Sequence, residues 1–285
     1  MRLATVVVDG QQAVALVREG RCLVLATGDP GLDVSVRVIA GGGPDAMRRI
    51  GAWVATQPDD AYRSLDDLEI GPAVPDPGAI YTVGGNYRPP GGPDAGRPAR
   101  PLIYGKAPGS VAAHGAVLTW DRGLTPNVDP ECELGVVVGI AATSVEPEDA
   151  MDHVFGYTCI NDISSRDPWL DGDQWLLGKS MAGFCPVGPW VVTRDELPSD
   201  GLGIGLGSSI NGIAIQDGNT ADMRFSIAEV IAYLSRHVTL RPGDLIATGT
   251  PARLAGPMGP DRHLQAGDVA TVWIEQIGEL TTTIA

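Results

Sequence analysis

No apolar run in the 285 residues is long enough to span a bilayer, which excludes a membrane-crossing helix and leaves no membrane partner to expect. The first ten residues, from Met1-Arg2-Leu3 to Asp9-Gly10, go straight into a strand-and-turn pattern and lack the order of a secretory signal: charged, then apolar, then small. Cysteine is scarce. Cys22, Cys132, Cys159 and Cys185 show no paired metal spacing and lie in apolar surroundings, the pattern of buried thiols. Together these absences set the expectation of a reduced, cytoplasmic protein. Basic residues are also few, 20 against 35 acidic ones, for a formal charge of −15 and a pI near 4.5. A field of that sign repels phosphate backbones and offers no basic stripe, so nucleic-acid binding is not expected. A small anionic substrate stays open, because a metal and a few local cations can reverse the potential inside one cleft.

What is present is an apolar fraction of 44%, enough for one large domain and a small accessory one. Residues 1–70 carry three short β-prone runs, Leu3 to Val8, Ala13 to Val17 and Arg21 to Leu25, punctuated by Asp9-Gly10 and Glu19-Gly20. Pro44 to Ala55 has helical spacing at Met47, Ile50 and Val54. This part reads as a small N-terminal α/β accessory domain for packing or dimer support. A Pro/Gly-rich linker, Ile70 to Gly78, leads into a second domain, residues 71–285. Repeated hairpin signals follow, among them Asn211-Gly212, with one clear helix after Ser226, whose Glu229 completes a capping box. The fold class is therefore α+β and predominantly β. Residues 216–220 are polar and read as a loop.

The stretch of most chemical interest is Glu131-Cys132-Glu133, running into the apolar Leu134 to Ile140. Alternate residues of a strand share a face, so the two carboxylates point one way and Cys132 the other. A third acid, Asp162, follows the next strand-like run, Val154 to Ile160. Acids crowded beside an apolar core favour protonation unless a cation lies between them. An all-oxygen donor set suits Mg²⁺ or Mn²⁺, which keep positions open for substrate. The plainer alternative is an acidic pair on the solvated face of an edge strand.

Seven segments in order bear on that choice: Asn86-Tyr87-Arg88; Asp129 to Leu134; Gly156-Tyr157-Thr158 with Asn161 to Asp167; Gln174-Trp175 with Gly178-Lys179-Ser180; Phe184 to Trp190; Gln216 to Thr220; and Thr248 to Pro251. On these the chain resembles the fumarylacetoacetate hydrolase family, in its small bacterial-type form, over about residues 78 to 285. The resemblance implies a rolled mixed β-sheet with few helices and a homodimer. It also implies Glu131, Glu133 and Asp162 as ligands of Mg²⁺ or Mn²⁺, with Lys179 reaching toward metal-bound oxygens as the catalytic cation. Tyr87, Lys106, Gln174 and Thr250 would line a small-molecule substrate. At a strand end, Lys106 either holds a carboxylate oxygen or snorkels to solvent. Arg166 reads as a structural support, paired with a ligand carboxylate or with backbone.

One region departs from the family. Hydrolytic members carry a lid helix after the Asn-Tyr pair in which a His and, three residues on, a Glu activate the attacking water. Here residues 88–101 contain neither, and their five prolines and three glycines oppose a helix. Asp94 is the single acid there, without an orienting partner. The four histidines, His114, His153, His237 and His263, read as packing or surface residues. The expected function is a divalent-metal-dependent enzyme cleaving a carbon–carbon bond of a 2-oxo acid or β-dicarbonyl through a metal-stabilised enolate. That covers an acylpyruvate-type or fumarylacetoacetate-type hydrolase and an oxaloacetate-type decarboxylase. The alternatives are an isomerase, tautomerase or dehydratase of a 2-oxo acid, or a non-catalytic member that binds metal and ligand.

Overall fold

The computed structural model describes residues 1–25, 35–89, 96–167, 170, 174–198, 200–255 and 262–285. Asp94, Asp171 and Asp173 lie outside the described residues. Among those described, no helix is long and apolar enough to cross a membrane.

Cys132–Val138 is the strand on which the architecture turns, and all seven of its residues are buried. Being covered on both faces, it is apolar throughout instead of alternating, as central strands of covered sheets are. It pairs antiparallel with Val154–Asn161 on one side and with Leu245–Ala247 on the other. From this centre a mixed sheet extends through Cys185–Thr193, Arg2–Val8, Gln11–Arg18 and Arg21–Val24 in one direction. In the other it continues through Ile80–Gly84 to Leu102–Lys106, with a parallel pairing between Leu245–Ala247 and Ile80–Gly84. The N-terminal strands are thus hydrogen-bonded into the same sheet, by Arg2↔Val192 and Leu3↔Val191. A second, five-stranded sheet orders Ile213–Asn219, Gly205–Ile210, Val269–Ile274, Gly278–Ile284 and Ala116–Leu118.

Residue parity along the central strand sorts its side chains between two cores. Cys132, Leu134 and Val136 pack toward Leu206, Val272 and Leu280 of the second sheet and toward helix Ile227–Ser235. Val137 joins the opposite core with Leu3, Leu16, Val36 and Ile50, where helices Val36–Gly41 and Gly43–Val54 cover the sheet. Glu133 has the parity of Val137, so Cys132 and the acids point to opposite faces, as the spacing requires. The protein is mostly β with few helices, as the sequence indicated.

Local signals are realised where they were strongest. Asn211 and Gly212 both take positive φ, 52° and 78°, forming the two-residue hairpin turn. Ser226 Oγ accepts from Glu229 N–H, and the Glu229 carboxylate accepts from Ser226 N–H, which closes the capping box. The expected loop at 216–220 is corrected: Gln216 to Asn219 end strand Ile213–Asn219, and only Thr220–Asp222 leaves the ladder, as a 3-10 turn. The strand is at the sheet's edge, with Asp217 exposed, so polar residues persist there without breaking its pairing to Gly205–Ile210.

Candidate active site

The three acids meet because of strand register. Cys132 pairs with Asn161, so Glu131 and Asp162, each one step beyond the ladder, face one another, and Asp162 N–H donates to Glu131 O at 2.9 Å. Glu133 follows on the same face. Oxygens of Glu131, Glu133 and Asp162 lie within 4.8 Å of one another, and all three residues are buried. This is a compact, hard, all-oxygen set of the kind that holds a divalent cation.

Two lysines enter the cluster. Lys106, the last residue of strand Leu102–Lys106, donates to Asp162 Oδ1 at 2.6 Å and to Ile163 O at 3.2 Å, and both charged side chains of that pair are fully buried. Lys106 therefore does not snorkel to solvent, and the carboxylate oxygen it holds is the protein's own, on Asp162. Lys179, closing helix Trp175–Lys179, donates to Glu131 Oε2 at 2.8 Å, Asp162 Oδ2 at 2.7 Å and Ser164 Oγ at 2.5 Å. Burial works against its charge, but Asp162 and Glu131 overcome that and hold its pKa well above the usual lysine value. Arg166 donates to Glu131 Oε1 and, from Nε, to Asp129 Oδ2 at 3.3 Å, so it supports a triad carboxylate as expected.

These cations are unevenly shared. Burial alone would raise Glu131, yet Lys179 and Arg166 bring it down to about 2. Glu133 goes the other way: burial, then the charges of Asp162 and Glu131, push its carboxyl well above the ordinary range. Among the described residues Glu133 accepts one hydrogen bond, from Gly249 N–H at 2.7 Å, and forms no ion pair. Gly249 is required there, with φ at +97° and with any Cβ brought to 2.8 Å from Val83 O. A buried carboxylate without its own cation, beside two that are ion-paired, is an arrangement that a divalent cation would balance. The donor set fits a divalent metal.

The other expected residues divide. Tyr87 lines the cleft, but its hydroxyl is itself enclosed and lies next to the Thr248 side chain. Thr250 also lines the cleft, but its hydroxyl donates to Cys132 O at 2.8 Å and accepts from Gln216 Nε2 at 2.7 Å, so its proton is committed to the protein. Gln174 is exposed; its carbonyl accepts from Leu177 and Gly178 N–H at the start of helix Trp175–Lys179. Three histidines make the packing contacts expected of them: His114 Nδ1 accepts from Thr281 N–H, while His153 and His237 bond to the carbonyls of Ile140 and Tyr233. His263 instead pairs with Asp129, at 2.8 Å.

Sequence reasoning passed over three contributors. Gln216 is buried and makes four hydrogen bonds, to Cys132 N–H, Ser208 Oγ, Thr250 Oγ1 and Pro251 O, tying the second sheet to the start of the central strand. Tyr104 shares its strand face with Lys106 and sets its ring 5.2 Å from Lys179 Nζ and 4.7 Å from the ring of Trp175. Its alternation with Lys106 was the available signal. Arg253 reaches Asp129 Oδ1 at 3.1 Å from 124 positions away, for which no local pattern exists.

Comparison with known proteins agrees with this geometry. A family model described as the C-terminal domain of fumarylacetoacetate hydrolase matches residues 79–285. An uncharacterised protein of Staphylococcus aureus is 38% identical over 227 residues, which cover 80% of this chain and 75% of that protein. The structure of a fumarylacetoacetate hydrolase from Exiguobacterium antarcticum superposes with a TM-score of 0.85 at 29% identity, over 100% of this chain and 99% of that one. Maleylpyruvate hydrolase of Sphingobium sp. SYK-6, solved in complex with manganese(II) and pyruvate, gives a TM-score of 0.81 at 27% identity, over 100% and 99% of the two chains.

Proposed function

Since the chain belongs to the fumarylacetoacetate hydrolase family, we propose that it is a divalent-metal-dependent enzyme that cleaves a carbon–carbon bond of a 2-oxo acid or β-dicarbonyl compound. The observation that carries this reading is the buried triad of Glu131, Glu133 and Asp162 with the Lys179 ammonium within 2.8 Å of two of its members. The metal held by those three residues, Mg²⁺ or Mn²⁺, would supply Lewis-acid stabilisation of the enolate charge left when the bond breaks. The manganese and pyruvate of the Sphingobium enzyme support both the metal and a pyruvoyl-like ligand.

The chain's own residues account for the rest. Lys106 and Arg166 fix Asp162 and Glu131 in place, so that the carboxylates need not reorganise when a ligand arrives. Lys179 holds its charged Nζ between Glu131 and Asp162, where the ammonium can stabilise the ligand oxygen that gains electrons. No His or Glu occurs in residues 88–101, which favours decarboxylation, a cleavage that needs no activated water, over hydrolysis. A homodimer is part of the proposal.

The test is a spectrophotometric scan of oxaloacetate, acetylpyruvate, fumarylpyruvate and a 2-hydroxymuconate, with Mg²⁺ or Mn²⁺ and with chelator. Metal-dependent loss of a substrate that disappears in the Glu131→Ala/Glu133→Ala double variant is expected. Pyruvate with carbon dioxide would identify the decarboxylase, and pyruvate with a second acid the hydrolase. Metal binding without turnover of any of the four would favour the non-catalytic alternative.

A further inference from the structure

We propose that Gln216 is a positioning residue for the metal: through a closed ring of hydrogen bonds it fixes the backbone between Glu131 and Glu133, and with it the spacing of their carboxylates. The inference rests on the metal-dependent function proposed above and adds the residue that holds the ligand pair in place.

The ring follows from where the ladder stops. Toward Leu245–Ala247 the central strand is paired over Gly135–Val137, so Cys132, between the two glutamates, lies beyond that ladder. Side chains take its backbone groups instead. Cys132 N–H donates to Gln216 Oε1 at 2.9 Å, and Thr250 Oγ1 donates to Cys132 O at 2.8 Å. Gln216 Nε2 donates to Thr250 Oγ1 at 2.7 Å, which closes the ring. Two more bonds fix the amide from outside: Ser208 Oγ donates to Oε1 at 2.6 Å, and Nε2 donates to Pro251 O at 2.7 Å. A primary amide has two donor hydrogens and two acceptor positions, and here the protein uses them all. Gln216 thus stands in the cleft wall beside Glu131 and Thr250 with no bonding capacity left for a ligand.

The fold makes room for this side chain. Ile215 and Gln216 are consecutive and both buried, which plain strand alternation forbids. Ser208 pairs with Gln216 but Ser209 with Ala214, so Ile215 is the extra residue of a bulge, and the bulge lets both residues face inward. What the ring restrains matters most for Glu133. Glu131 and Asp162 are gripped at their carboxylates by lysine and arginine, whereas Glu133 has Gly249 N–H alone among the described residues. The course of its backbone therefore decides where its carboxylate lies, and a turn of the Cys132 peptide would move Glu131 and Glu133 apart.

Mn²⁺ titration followed by electron paramagnetic resonance, with no substrate present, tests this. The free-ion signal gives the affinity, and the spectrum of the bound ion reports the symmetry of its ligands. All variants are compared where circular dichroism shows them folded. Gln216→Met, similar in length but without the amide, is expected to bind Mn²⁺ about 10-fold more weakly and with an altered bound spectrum, the low end of the range for losing a group that orients metal ligands. Thr250→Val breaks the same ring at its other side chain and should act likewise, while Thr250→Ser keeps the hydroxyl and should bind as wild type. Ser208→Ala removes a bond outside the ring and should also bind as wild type. If Gln216→Met does not fold, the two Thr250 variants decide alone. A merely structural Gln216 would lower the unfolding midpoint and leave affinity and spectrum untouched. Wild-type Mn²⁺ binding in Gln216→Met and Thr250→Val, or an equal loss in Ser208→Ala, overturns the positioning role and leaves the metal-site reading standing. A wild type that binds no Mn²⁺ overturns that reading and the inference together.

Discussion

Replacing Lys106 by Met in the metal-free protein isolates the pair that anchors Asp162. Met keeps an unbranched stem of similar reach, so the cost is electrostatic and not that of a cavity. Lys106 Nζ stands 2.6 Å from Asp162 Oδ1 and 3.2 Å from Ile163 O, and both charged side chains are 0% exposed. Breaking a buried pair from one side costs about 3–5 kcal/mol when the remaining charge has no other partner. A lost hydrogen bond to a charged group that keeps a partner costs about 1.5–3 kcal/mol. Asp162 keeps Lys179 at 2.7 Å, which places the expected loss where those ranges meet, at about 3 kcal/mol. Against a total stability of about 5–15 kcal/mol for a typical domain, that is a large fraction. Urea unfolding in chelator, followed by circular dichroism and tryptophan fluorescence, should show a lower midpoint at unchanged slope. A loss below about 1 kcal/mol, the worth of an exposed pair, would refute the reasoning and show Asp162 to be satisfied without Lys106.

Three further outcomes follow from the same geometry. Lys179→Met removes an ammonium held within 2.8 Å of two triad carboxylates, so calorimetric Mn²⁺ affinity should rise by about tenfold while turnover falls by about 100-fold or more; weaker metal binding would mean that Lys179 supports the ligands instead of acting on substrate. Glu133 has a raised pKa in the metal-free fold, so its stabilising contribution is complete below the ordinary carboxylate range and is lost as pH rises through the folded value. Glu133→Gln, neutral at every pH and able to accept from Gly249 N–H, should therefore melt above wild type in chelator at about pH 8, with the gap closing by about pH 4. It should also lose the Mn²⁺-induced rise in melting temperature, whereas a gap independent of pH would contradict the assignment. Gln216→Leu leaves Cys132 N–H and Pro251 O without their partner, and at about 1–3 kcal/mol per orphaned buried group it should cost about 3 kcal/mol or more in urea unfolding; a smaller loss would show that water replaces the amide.

How much of this was legible in the sequence depends on whether a residue's neighbours are set by its own element or by another one. The central strand was legible because burial on both faces leaves a continuous apolar run, and the common direction of Glu131 and Glu133 follows from strand parity alone. The hairpin at Asn211-Gly212 and the capping box at Ser226 are chemical requirements of a turn and of a helix end, so they too are written locally. Residues 216–220 misled because polar composition marks an edge strand and a loop alike, and only pairing with Gly205–Ile210 tells them apart. Lys106 stood equally for a ligand-holding or a solvent-seeking residue, since a strand-end lysine carries no sign of what the next sheet position will bury against it. Gln174 shows the converse, a motif position whose resemblance implied a ligand contact but whose place at a helix start leaves it exposed.

The same division explains the shape of the site. Its three acids lie on, or one step beyond, two strands joined by one register, Cys132↔Asn161, so a single pairing brings them together. Other residues that line the cleft come from elsewhere: Tyr87 from beyond Ile80–Gly84, and Gln216 and Arg253 from separations of 84 and 124 positions from their partners Cys132 and Asp129. A change to the central register would destroy the acid cluster outright, because a one-residue slip moves Glu133 into the opposite core. Substitutions that shift this register should accordingly abolish the acid cluster and, with it, the Mn²⁺-induced rise in melting temperature, whereas a rise that survives would show that the cluster does not depend on the Cys132↔Asn161 pairing.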